Sequence, residues 1–486
     1  MTIRLLAAHG HYPVNAIVTL DAGTEAGLVA AKLAEFNLTG GTPYVAPTLP
    51  NQRFDAQIEV DPAGAVVGLV ADGKVIAIGG SPGLRKGVAL PLIQYVNQAN
   101  FSISGAGAAK ADSYSPALAP QAITLTGTTA AGSANLDRAG LNLNISALDD
   151  FLIAFHILDA TKVNGLTLFL CSDVSGFTNY YQVQLLSTPM LGQKDNGWNV
   201  LGWRKSEMSV TGTPDPSSIK QVRTQVYSAT GGSTVTFDSV WANARTRAKA
   251  VVIFDDGWSE SYDFNGGHGM YTAMKARGLR GTSSIIGGLV GSANYTTHQQ
   301  IREMHDAGFD LAVHGINYAG TVPNYQNLIQ FPTESDAVAN VAQNRNFLLS
   351  MGLARAADFY VYPQGKYTET LIPQMRTVGI KMARGTYEAL CFPYFPIPDY
   401  MMKLPAVDHG GKTFAQVRPF IDRAILTGAT IIIYGHRIQT AASATGLYVT
   451  QSEFEQTLDY LAAQVANIDT VTVSDWKAQT LAARMA

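Results

Sequence analysis

The chain holds 486 residues, room for roughly three domains of about 150 residues each. Hydrophobic residues make up 47% and charged residues 15%, the reverse of a disordered chain's balance, so sizeable cores can form. The formal net charge is -3, from 34 basic and 37 acidic residues with no dense Lys/Arg run, which argues against a nucleic-acid partner.

In chain order, the opening Met-Thr-Ile-Arg-Leu-Leu-Ala-Ala-His-Gly lacks the long apolar core of a secretion signal. The expectation is a product made in a cytoplasm. A short helical pattern follows, capped by Thr24 and stopped by Gly40-Gly41. Phe54 to Val60 alternates strictly and reads as a half-buried strand. Val66 to Val70 and Lys74 to Ile78 follow, joined by the hairpin signal Asp72-Gly73. Residues 1–104 thus read as a small β module. The Gly, Ala, Ser, Thr and Pro-rich stretch after Gly105 reads as a linker over 105–119. Across 120–245, short strands recur between turn signals: Leu152 to Ile157, Leu166 to Leu170, Tyr180 to Leu186 and Thr234 to Val240. That spacing predicts an antiparallel β-sandwich, jelly-roll-like in pattern. Its aromatics Phe177, Tyr180, Tyr181 and Trp198 suit either core packing or a flat ligand face.

After Arg245 the pattern changes. Ala250 to Phe254 is a continuous apolar run, as for a strand buried on both faces. Thr297 to Ala307 is predicted helical, with Thr297 and Gln300 as capping box and Gly308 as stop. Leu311 to Val313, Phe359 to Tyr362, Ala429 to Tyr434 and Thr470 to Val473 read as further strands. Ser452 to Val465 reads as a helix capped by Ser452 and Glu455. Strands alternating with helices mean an α/β domain over 246–486, its largely parallel sheet open or closed into a barrel. No apolar stretch approaches the ~18 residues of a membrane span, so no membrane insertion is expected. Cys171 and Cys391, far apart, support neither a disulfide framework nor a cysteine zinc site.

Functional residues of a parallel α/β domain collect past the C-terminal ends of its strands. Asp255 and Asp256 stand there, as do His314, Pro363-Gln364-Gly365 and His436. Carboxylates and imidazoles are the donors that hold zinc or a similar ion while leaving room for water. His298 and His305 fall on a predicted helix and read as surface residues. Asp408, in Asp408-His409-Gly410-Gly411, reads as part of a turn, with orientation of His436 as its functional alternative.

These motifs, in this order, resemble the polysaccharide deacetylase family (carbohydrate esterase family 4). Ile253-Phe254-Asp255-Asp256-Gly257 is similar to its Thr-Phe-Asp-Asp-Gly, and Val313-His314-Gly315-Ile316-Asn317-Tyr318 to its His-Ser/Thr-x-x-His. Tyr362-Pro363-Gln364-Gly365 is similar to its Arg-x-Pro-x-Gly, Tyr434-Gly435-His436-Arg437-Ile438 to its late histidine motif, and Val473-Ser474-Asp475-Trp476 to its usual close. The resemblance covers about half the chain and implies a distorted (β/α) barrel. It implies Asp255 as general base, Asp256 and His314 as ligands of a divalent metal such as zinc, and His436 as general acid. The backbone N–H of Gln364 would hold the oxyanion. Two positions depart from the family. Tyr318 stands where the second metal-binding histidine is expected; either Tyr318, Asn317, His268 or a water completes the shell, or the metal is lost. Val361 stands where the motif arginine is expected, and Arg384 is the candidate to supply that charge to the catalytic aspartate.

The opening segments around Tyr12-Pro13-Val14-Asn15-Ala16 and Thr39-Gly40-Gly41-Thr42-Pro43-Tyr44 resemble N-terminal segments of bacteriophage structural and tail proteins. That resemblance implies a virion tail protein, a homotrimer by analogy, attached to a phage tail or baseplate protein. It would act on a bacterial surface polysaccharide such as capsule or O-antigen. Two alternatives stand beside it: a non-catalytic glycan-binding tail adhesin, motivated by Tyr318, and a bacterial cell-wall deacetylase, which would require export.

Overall fold

The computed structural model describes residues 90–113, 119, 121–186, 194–242, 247–316, 327–392, 397–440 and 446–480, of Leu90 and Pro398 the backbone alone. Outside these it describes the backbone of short strands before residue 84 and of the last helix to Met485. The chain divides into two compact units, 1–83 with 483–486, and 84–482. The first holds two three-stranded antiparallel sheets; in one of them Ala71 pairs with Lys74 across Asp72-Gly73. Within the helix expected at 24–40, Ala34–Phe36 is instead a strand paired antiparallel with Thr2–Leu5, a long-range ladder that overrides a local helical pattern too short to hold by itself, and the rest of that stretch lies outside the described residues.

The second unit begins with a sandwich of two six-stranded antiparallel sheets. One runs in the order Gly197–Arg204, Asp150–Ile157, Thr234–Ala242, Ala122–Gly127, Gly107–Ser113, with Leu90–Gln94 also on Thr234–Ala242. The other runs Ser209–Thr211, Tyr180–Gln184, Gly165–Cys171, Gln221–Ser228, Gly132–Arg138, Ser102–Gly105. Alternation decides which side chains meet between them: Leu166, Leu168 and Leu170 face Phe151, Ile153 and Phe155 in one buried cluster. Here the structure corrects the sequence reading. Residues 90–105 belong to the sandwich rather than to an N-terminal module. The presumed linker 105–119 contains strand Gly107–Ser113, which pairs along its length with Ala122–Gly127. Small residues misled because this strand lies at a sheet edge and needs few large side chains.

A parallel sheet follows, formed by β1 (Ala248–Phe254), β2 (Thr282–Ile285), β3 (Asp310–Val313), β4 (Phe359–Val361), β5 (Met382–Arg384), β6 (Val407–Asp408), β7 (Thr430–Gly435) and β8 (Ile468–Thr470). Its order is β5-β4-β3-β2-β1-β7-β6, with β8 paired to the first residues of β1. A parallel bridge from Arg384 to Leu404, three residues before β6, brings the two ends toward each other, so the sheet curls round. Around it lie α1 (Met270–Ala276), α2 (His298–Asp306), α3 (Glu334–Ser350), α4 (Leu371–Thr377), α5 (Phe414–Thr427), α6 (Gln451–Ala463) and α7 (Val473–Met485). α2 carries the capping box of Thr297 and Gln300, and Gly308 follows it in the left-handed region at φ 89°. α6 is capped by Thr450, whose hydroxyl accepts from the Glu453 N–H, rather than by Ser452. The last strand ends at Thr470, and Val473 already opens α7. Among the described residues no helix is long and apolar enough to cross a membrane.

The sandwich and the curled sheet share one core. Leu152, Ala154, Trp198, Val200 and Trp241, on the outer face of the first sandwich sheet, lie in the same buried cluster as Phe254, Phe392, Tyr400 and Ile432. Gly202 lies so close to this junction that an added Cβ would stand 2.5 Å from the Phe392 ring.

Candidate active site

The site is built where β1 ends. Asp256 and Gly257 take consecutive left-handed conformations, at φ 68° and 72°. Aspartate tolerates that region better than most residues and glycine needs no tolerance. The sharp turn sends the two neighbouring carboxylates toward different partners. A Cβ on Gly257 would lie 3.2 Å from the Ile285 side chain.

Asp255 is buried, and its N–H donates to the Gly435 carbonyl at 2.8 Å, fixing it against β7. The fully buried Arg384 donates to both of its carboxylate oxygens. Ser284 donates to Oδ1 at 3.1 Å. His436 Nε2 stands 3.7 Å from Oδ2. The Arg384 guanidinium lies over the Tyr434 ring, 4.3 Å from its centre. His436 itself is mostly buried, and its Nδ1 has no hydrogen-bond partner among the described residues.

Asp256 faces the other way. Its Oδ1 lies 3.0 Å from His314 Nε2, and its Oδ2 accepts from the Trp258 indole at 3.0 Å. His314 Nδ1 donates to the Val361 carbonyl at 2.8 Å. That bond commits the Nδ1 proton, so a neutral His314 presents its Nε2 lone pair to Asp256. Burial opposes charge on both groups, but each other's opposite charge outweighs it. Asp256 is held below the usual carboxylate range and His314 is raised.

Gln364, in the turn after β4, is left-handed at φ 56°, and its side-chain oxygen accepts from Asn327 at 2.8 Å. Gly365 closes that turn with an N–H to the Tyr362 carbonyl at 2.9 Å. The structure thus brings Asp255, Asp256, His314, His436 and Arg384 together. Tyr318 and Asn317 lie outside the described residues. His268 pairs with Glu455 on α6 and is not among the partners of Asp256. Asp408 accepts from the Gly410 N–H at 2.7 Å, a turn contact, and burial raises its pKa. His298 is exposed, and His305 is half-buried beside Asp306.

Ser284, Trp258 and the Val361 carbonyl escape the sequence reading. Thr-Ser-Ser-Ile breaks the apolar pattern of a central strand, yet all four residues of β2 are buried. Trp258 could have been found, since it lies two positions past Asp256. Val361 and Arg384 are direct register partners on β4 and β5. The guanidinium missing from position 361 therefore arrives from the neighbouring strand at the same level.

Asp256 and His314 suit a divalent cation: an anionic oxygen and an imidazole nitrogen converge, the latter oriented from behind by a carbonyl. Among the described residues no third His, Cys, Asp or Glu joins them.

Residues 242–383 match the family model for polysaccharide deacetylase, which spans Asp255, Asp256, His314 and Gln364 and stops one residue before Arg384. YxkH of Bacillus subtilis (strain 168), provisionally named a polysaccharide deacetylase, is 23% identical over 139 residues, 28% of this chain and 44% of its own. The chain thus spans less than half the length of that relative. Among solved structures, the Streptococcus pyogenes deacetylase PplD in complex with acetate is similar at 20% identity and a TM-score of 0.27, covering 32% of this chain and 62% of its own. A family 11 carbohydrate-binding module of Clostridium thermocellum is similar at 9% identity and a TM-score of 0.26, covering 32% and 93%. On the family match, residues 242–383 carry a polysaccharide deacetylase domain.

Proposed function

We propose that this protein hydrolyses acetyl groups from a polysaccharide, with the curled sheet serving as the family's distorted barrel. The observation that carries the reading is the Asp255 carboxylate, clamped by Arg384 and Ser284 and facing His436 across 3.7 Å. In the reaction, Asp255 takes a proton from water as its oxygen bonds to the acetyl carbon. The Gln364 N–H would donate to the oxygen on which charge develops, and His436 gives a proton to the departing nitrogen or oxygen as its bond to the acyl carbon breaks. Acetate and the free amine or hydroxyl are the products. Arg384 is a positioning residue that fixes the plane of the carboxylate. Asp256 and His314 would hold a divalent metal, zinc in the first instance, which when bound supplies Lewis-acid polarisation and a more acidic water.

The finer reading is a virion tail protein, homotrimeric, attached through its N-terminal region to a tail or baseplate protein and acting on capsule or O-antigen at the bacterial surface. The similarity of its opening segments to phage tail proteins supports it. Acetate release from purified host polysaccharide tests the activity, with zinc or cobalt supplied. The parent protein should release acetate, and Asp255→Asn should lose about 10^2- to 10^4-fold, the range for one general base. Full turnover in that variant would remove Asp255 from the role.

A second reading, a glycan-binding tail adhesin, is favoured by the outer face of the second sandwich sheet. There Arg223 bonds Asp137 at 2.6 Å and covers the Phe177 ring at 4.1 Å, while Gln225, Asn135 and Ser104 form a hydrogen-bonded row. Trp198, by contrast, is buried in the shared core. A metal-free protein that binds polysaccharide and releases no acetate would favour this reading.

A further inference from the structure

A cleft of about 590 Å³ opens between the sandwich and the curled sheet, within the range of ligand-binding pockets. Its floor begins one residue from the reaction centre. Gly365 follows Gln364, and Gly385 follows Arg384, whose guanidinium holds Asp255. The opposite wall is Asp195 and Asn196, which lead into sandwich strand Gly197–Arg204.

The two walls are bonded to each other. The Tyr367 hydroxyl donates to Asp195 at 2.5 Å. The Lys403 ammonium, its side chain 1% exposed, donates to the Asn196 carbonyl and lies 3.3 Å from Glu369. Gly197, at φ 85°, leaves the Lys403 ammonium the space that a Cβ would take. Together with the shared core, these contacts give the cleft its shape before any ligand arrives. The lining carries two carboxylates, Asp195 and Glu369, against two ammonium groups, Lys366 and Lys403. The charges therefore balance, and Lys403 and Glu369 already answer each other. What remains is a polar wall of Asn196 and Thr386 with Tyr387, a residue 43% exposed. An exposed aromatic beside amide and hydroxyl groups suits the apolar face and hydroxyl rim of an uncharged sugar.

We infer that this cleft is a subsite for the neutral sugar unit adjoining the acetylated one, so that the sandwich supplies part of the substrate specificity. The inference rests on the deacetylase reading, and its test separates the two. Acetate release is measured from N-acetylglucosamine oligomers, mono- through pentasaccharide, and from a small aryl acetate that ends at the reaction centre. In the parent, kcat/KM should rise with oligomer length. Tyr387→Ala should remove that rise, a loss of about tenfold on the longest oligomer, in line with truncating one aromatic anchor.

A parent that cleaves the aryl acetate but shows no length dependence, or a Tyr387→Ala protein that keeps it, overturns the subsite and leaves the deacetylase reading standing. If the parent, with zinc or cobalt supplied, releases no acetate from these substrates or from the host polysaccharide, the deacetylase reading falls. Calorimetric binding of the deacetylated pentasaccharide then decides the cleft: weaker binding by Tyr387→Ala supports it, while equal or absent binding overturns it. Lys366→Ala separates the charge classes. A preference of the parent for an acetylated, uronate-containing oligomer of matched length, lost in Lys366→Ala, would mean an anionic unit and overturn the neutral assignment.

Discussion

Arg384 and Asp255 form a buried ion pair, and such pairs are expensive to break from one side. If Arg384 only supplied charge to the site, Arg384→Ala would lower activity with little loss of fold. Full burial of the guanidinium changes that expectation, because removal leaves the Asp255 charge without its compensating partner. Arg384→Ala should therefore cost about 3–5 kcal/mol in denaturant unfolding as well as activity. Adding Asp255→Asn to it should restore part of the stability and none of the turnover. The Asp256–His314 pair sets a pH dependence. Asp256 is lowered from 3.8, so its contribution is complete above that value and lost as pH falls through the lowered pKa. His314 is raised from 6.5, so its contribution is complete below 6.5 and lost as pH rises through the raised pKa. The metal-free pair should stabilise most between those two ordinary values. A divalent cation must displace the His314 proton, so zinc uptake should be weaker at pH 6 than at pH 8 and should release protons, both readable by calorimetry in buffers of different ionisation heat.

The turn that ends β1 is the element on which the chemistry depends. Two successive left-handed residues let adjacent aspartates serve opposite partners, and only one of the two is glycine. Gly257→Ala should cost about 1–2 kcal/mol from its φ alone, with further cost from the approach to Ile285. Its thermal midpoint and acetate release should fall together, since misplacing Asp256 also moves it from His314. The strands β1 and β7 were legible because both are continuous apolar runs, buried along their length. β2 was not, since its Thr and Ser side chains are buried by partners elsewhere in sequence, such as Asp255 for Ser284. Gly107–Ser113 escaped for the opposite reason: an edge strand of small residues has the composition of a linker.

At the scale of the whole second unit, one core joins sandwich and sheet through Trp198, Trp241 and Phe392. Burial of these aromatic groups couples the two layers, so scanning calorimetry should give one unfolding transition for both. Phe392→Ala should lower it by about 3–5 kcal/mol and, by loosening the junction, split it in two. Two transitions in the parent would mean that the layers are thermodynamically independent.

The sequence by itself determined the chemistry at each strand end: which positions carry carboxylate, imidazole and a turn, because those are properties of residue type and local pattern. It also placed α2 and α6 and the strands with a clear apolar run or alternation, whose hydrophobic periods and caps are local, but not α1, α3, α4, α5 or α7. It did not determine which groups meet. β5 and β1 are four strand spacings apart, roughly 19 Å if the sheet were flat, yet Arg384 bonds Asp255 directly. Only the curl of the sheet closes that distance. Likewise only the shared core turns Asp195 and Asn196 into a wall beside the reaction centre, since contact between segments far apart in the chain is decided by packing and leaves no local period to read.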